Sequence, residues 1–209
     1  MGDERWVSLL RGAARRGLVG TPLAGVGEPA TWARGFADSA GHRRAVDPYL
    51  LARVLGLPAE HVDALPGLPP DAESWLRLWR AVAAGDDRRP AFSRDDGPLF
   101  PESHDGPIEV WTEGELCGLH ALSWLATKGG PAEARLHAAA RWLIEHIQPD
   151  NATGRPWGVH VFASMGASDP DADMYAQTLL HNALAGRSEP DVFSAVILWD
   201  AADWLERGV

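Results

Sequence analysis

Residues 112–125 read TEGELCGLHALSWL, and they decide the fold class. Thr112 followed three positions later by Glu115 has the form of a capping box, in which each side chain answers a free backbone N–H at a helix start. An apolar run then extends to Leu125, and Gly129-Gly130 ends it. Working outward, Pro131 sits at a first helical position with Glu133 in the first turn. Leu136, Ala139, Ala140, Leu143 and Ile147 follow at helical spacing up to Pro149. Asp169, Asp171 and Asp173 lead a third helix through Met174 and Leu184 to Gly186, and Pro190-Asp191 opens a fourth that ends at Gly208. Upstream, helical patterns occupy 4–16, 29–37, 48–55, 59–64 and 71–84, the last with Trp75, Leu78, Trp79 and Val82 on one face. Runs of β-branched residues are short (159–162 and 192–198) and sit inside helical periodicity. The reading is an all-α protein of antiparallel helix hairpins, in one domain spanning 1–209, with a polar Gly/Pro-rich surface loop at about 86–107.

Composition narrows the function classes. The chain has 209 residues, 45% of them hydrophobic and 23% charged, enough for one well-cored domain without staples. Its net charge of −10 repels phosphate backbones and anionic lipid, so nucleic acid and membrane are not expected partners. Cys117 is the single cysteine, which excludes an internal disulfide framework. The N-terminal stretch lacks the form of a secretory signal and no window suits a membrane span, so a cytoplasmic location is expected. Ten tryptophans stand against two tyrosines and five phenylalanines. They read either as bulky spacers between packed helices or as the lining of a ligand cavity.

At about 3.6 residues per turn, Glu113, Cys117, His120 and Trp124 fall on one stripe of the helix after Thr112. A carboxylate, a thiol and an imidazole on one face form a donor set that suits zinc, and His181 from the later hairpin would complete it. A cysteine on an apolar helix serves equally as a small hydrophobe, and such a histidine as a hydrogen-bonded core residue. Residues 148–160, with turn chemistry before Pro156, Trp157 and His160, read as a pocket mouth or as an ordered connection. Other matches fail. In the stretch from Asp169, Met174 and Leu180 stand where a calcium loop needs glycine and glutamate. Phe162 stands where a nucleophile elbow needs its first glycine. No P-loop or dinucleotide-binding glycine pattern is present.

The two C-terminal hairpins are self-similar: Leu119-His120-Ala121 aligns with Leu180-His181-Asn182, Pro131 with Pro190, and Trp142-Leu143 with Trp204-Leu205. With the tryptophans and the histidine-bearing inner helix, this pattern over residues 112–207 resembles the α/α toroid repeats of terpenoid cyclases and protein prenyltransferase β-subunits. That resemblance implies a partial α/α toroid and a zinc site of Glu115, Cys117 and His181, in the order of the family's Asp-x-Cys pair and distant histidine. The chain departs from the family in having Glu for Asp and no Gly-Gly-Phe-type signatures. The resulting expectation is a binding module whose cleft gathers Glu113, His120, Trp124, Trp157, His160 and His181 around a small molecule or protein segment. The alternative is an enzyme of transferase or cyclase type using zinc or a Glu/His acid–base pair.

Overall fold

The computed structural model describes residues 2–18, 50, 53–54, 74–85, 94–101, 108–127, 129–149, 154–185 and 188–207. Among them are seven helices and no strand: α1 (Gly2–Gly17), α2 (Ser74–Ala84), α3 (Ile108–Ala126), α4 (Pro131–His146), α5 (Val159–Met165), α6 (Pro170–Leu184) and α7 (Val192–Glu206). The expected helices at 29–37 and 59–64, most of 48–55, and the stops at Gly186 and Gly208 lie outside the described residues.

Local chemistry sets most of the C-terminal boundaries. Gly129 and Gly130 adopt positive φ (73° and 82°), and Pro131 then opens α4. Asp169 caps α6 by accepting from the Asp171 and Ala172 backbone N–H groups, and Asp191 caps α7 by accepting from that of Ser194. The capping box at Thr112 does not form. α3 begins four residues earlier, so Thr112 lies inside the helix and its hydroxyl donates to the Ile108 carbonyl at 2.9 Å. α5 begins after Gly158.

Apolar spacing dictates the packing. Trp6, Leu10, Ala13 and Ala14 bury one face of α1, continued by Leu18 just beyond it, and the helix lies along α7. Leu78 and Trp79 bury the expected face of α2 against α3. From Glu115 to Ser123 every residue of α3 is buried, so the predicted stripe is not a free face: α2, α4 and α5 surround the helix. The pair α3/α4 is a packed hairpin as expected. The pair α6/α7 is arranged otherwise, with α1 as the main neighbour of α7 and α5 that of α6. Buried side chains of all seven helices join in one hydrophobic cluster.

The described part of the expected surface loop, 94–101, is docked rather than free. Arg135 of α4 donates to the Gly97 and Pro98 carbonyls at 3.0 and 2.5 Å, while Glu115 of α3 accepts from the Leu99 and Phe100 backbone N–H groups. Leu99 is buried, and the Phe100 ring lies where Gly118 has no side chain: a Cβ there would stand 2.5 Å from it.

Candidate functional site

Two places in the fold bring chemistry-bearing side chains together. The first is a polar network enclosed between α3, α5 and α7. Asp200 accepts from the Trp124 indole at 2.7 Å and from His120 Nε2 at 3.1 Å, while His120 Nδ1 accepts from the Gly158 backbone N–H at 3.3 Å. These partners assign His120 the tautomer protonated at Nε2. Arg53 lies 3.5 Å above the Trp124 ring, 3.9 Å from Asp200 Oδ1 and 3.0 Å from Asp203 Oδ2. His160 reaches Ser123 Oγ at 2.6 Å, and the Trp204 indole donates to the Ser123 carbonyl at 3.2 Å.

A serine contacting a histidine invites comparison with a nucleophile and its base. The proton positions oppose it. Ser123 donates to the carbonyl of His120 at 2.7 Å, and a carbonyl only accepts, so His160 must be the donor to Ser123. The hydroxyl is therefore not activated by a base. His160 Nδ1 has no hydrogen-bond partner among the described residues, and Asp200, which would have to orient a base, holds His120 instead. Ser123, His120 and His160 are fully enclosed. Burial, and then the His120 ring whose centre is 4.3 Å away, pull the His160 imidazole well below its ordinary range. His160 thus serves as a neutral hydrogen-bonding member of the core, and His120 as one held between Asp200 and the Gly158 N–H.

The structure separates the other predicted site residues. Trp157 is buried edge-on to His120, with ring centres 5.6 Å apart, and Trp124 is half-buried at the rim of the network. Glu113 is half-buried and His181 exposed; neither appears in the network. The expected cleft around these residues is therefore replaced by a packed interior at His120, Trp157 and His160. Zinc does not fit Glu115, Cys117 and His181. Glu115 is turned to the 99–100 backbone, Cys117 Sγ accepts from the Trp79 indole at 3.2 Å, and His181 faces solvent. Among the described residues no three His, Cys, Asp or Glu side chains are placed so as to hold a metal ion.

The second place was not anticipated. Between the C-terminal end of α4 and the outer face of α6 lies a groove of about 430 Å³. Its described lining is Ile144, Ile147, Gln148 and Pro149 on one side and Asp171, Met174, Tyr175 and Thr178 on the other. Asn182 donates to the Pro149 carbonyl at 3.0 Å and pins the segment after α4 to α6. The Tyr175 ring stacks on Phe162, with centres 4.2 Å apart, so its position is set by the core. Its hydroxyl is buried and has no hydrogen-bond partner among the described residues. Burial pushes that phenol above its ordinary range and keeps it a neutral O–H. Asp171 is exposed at the mouth, and among the described residues its carboxylate has no partner. Met174, 62% exposed, forms an apolar lip.

In sequence, Met174 and Tyr175 read as ordinary members of a helix stripe. The signal that separates them, a large apolar side chain left open beside a buried phenol, exists only in three dimensions. No family model, no curated protein and no solved structure matches this chain.

Proposed function

We propose that this protein is a helical binding module that takes a small molecule in the groove between α4 and α6. The observation that carries the reading is Tyr175, which lines the groove and whose buried hydroxyl has no partner among the described residues. A buried hydroxyl without a hydrogen bond costs about 1–3 kcal/mol, which a ligand with a matching group recovers on binding. The volume of about 430 Å³ falls within the range of small-molecule sites, and the mostly apolar lining with few polar groups has their usual character. The lip formed by Met174 supports the same reading, since a large exposed thioether beside a concavity is a favourable surface for an apolar ligand. The alternative of an enzyme using zinc or a Glu/His pair draws no comparable support, because His120 and His160 are enclosed and already engaged, while His181 is exposed and gathers with no other donors among the described residues.

Fluorescence of the neutral dye N-phenylnaphthylamine tests the proposal. The expected result is a saturable rise with the wild-type protein that is lost in Thr178→Trp, where an indole fills the groove. A wild-type protein that gives no saturable signal, or a Thr178→Trp variant that binds as well, overturns it.

A further inference from the structure

The groove has a chemical polarity of its own. Tyr175, which lines it, holds one buried O–H, and its mouth holds the Asp171 carboxylate; among the described residues neither has a partner. The other two acids at the start of α6 are committed. Asp169 accepts from the Asp171 and Ala172 backbone N–H groups, and Asp173 accepts from the Trp6 indole at 3.0 Å and the Gln177 amide at 2.6 Å. Asp171 is therefore the carboxylate left to meet a ligand, and the described lining contains no positive side chain. The chain's net charge of −10 reinforces the local sign.

Resting on the binding reading above, we propose that the ligand class is an apolar primary amine that carries a hydrogen-bond acceptor at its far end. The ammonium pairs with Asp171 at the mouth, the apolar body lies between Ile144 and Ile147 on one side and Met174 on the other, and the acceptor takes the Tyr175 proton. A carboxylate in place of the ammonium meets Asp171 as a like charge. A body without the acceptor leaves the phenol as unsatisfied as it is in the free protein.

Isothermal titration calorimetry with three matched compounds tests this at about pH 8, where amines are protonated and carboxylic acids ionised. The compounds are methoxyphenethylamine, its ethyl counterpart lacking the ether oxygen, and methoxyphenylpropanoate. The methoxy amine is expected to bind about tenfold more tightly than the ethyl amine, and the difference to vanish in Tyr175→Phe. Asp171→Asn is expected to remove most of the preference for the amine over the propanoate while leaving the ether preference intact. Equal binding of all three compounds, or preferences that survive both substitutions, overturns the ligand class while leaving the binding module standing. If none of the three binds while N-phenylnaphthylamine still saturates, the class also fails; if the dye fails as well, the binding reading fails with it. Tyr175→Phe removes one oxygen and fills the same volume, so its effect is not confounded by misfolding.

Discussion

Glu115 and His160 carry pH dependences of opposite sign, and both follow from burial. Burial pushes the Glu115 carboxyl up to about 7, against the pull of the Leu99 and Phe100 N–H groups and of Arg135. The folded state thus holds a proton that the unfolded chain releases. This contribution is intact below about 4.5 and is lost as pH rises through about 7. His160 runs the other way. Its imidazole is held neutral in the fold, the unfolded chain takes up the proton first, and stability is lost as pH falls below about 6.5. Urea unfolding across this range separates the two. Glu115→Gln should gain on the wild type by up to roughly 3 kcal/mol as pH rises from about 4.5 to well above 7, and His160→Gln should flatten the acid limb. Parallel curves for wild type and both variants would contradict the assignment. Tyr175 belongs to the same scale: Tyr175→Phe should raise the stability of the ligand-free protein by about 1 kcal/mol in the same assay, because the lost hydroxyl had no partner to lose. Only the residue types were legible here. The surroundings that shift Glu115 come from positions sixteen and twenty residues away in either direction along the chain, and no local pattern announces them.

At the scale of elements, α5 has a constrained entry. Gly158 stands before it with φ of 69°, and its N–H is the donor that sets the His120 tautomer. Gly158→Ala should cost about 1–2 kcal/mol, read as a lowered Tm, because an L side chain is strained in the left-handed region. The 94–101 segment offers a different test. Gly118→Ala places a methyl against the Phe100 ring, so the segment should be cut faster by protease while the helical circular dichroism signal stays near wild type. Unchanged cleavage would show that the docking does not depend on the gap in α3. The caps of α6 and α7 and the Gly-Gly-Pro turn before α4 were readable from sequence because each acts within a few residues of backbone. The start of α3 departs from its local signal for the converse reason. Thr112 and Glu115 satisfy a local rule, but burial of Glu115 against the 99–100 backbone prevails over it.

At the scale of the whole molecule, arginines fasten distant parts of the chain to α7. Arg11 of α1 forms a paired contact with Glu206 at 3.0 and 2.6 Å and lies 4.1 Å above the Trp199 ring, and Arg53 joins Trp124, Asp200 and Asp203. Asp200 is the point where α3, α7 and Arg53 meet. Asp200→Ala should cost about 3 kcal/mol or more in chemical denaturation, since it strands the His120 and Trp124 donors and removes a buried partner of Arg53. A loss under about 1 kcal/mol would mean that the network is incidental to stability. By itself the sequence determined that the chain is helical, where four of its helices begin or end, and which faces are apolar, because these depend on backbone conformations and spacings within one or two turns. Only the tertiary structure decided that α7 lies on α1, that His120 and His160 are enclosed rather than open to a ligand, that Glu115 holds a loop instead of a cap or a metal, and that a groove with an unsatisfied phenol lies between α4 and α6. Those outcomes depend on which surfaces meet across long separations in the chain, and burial in such contacts outweighs the local preferences that sequence spacing records.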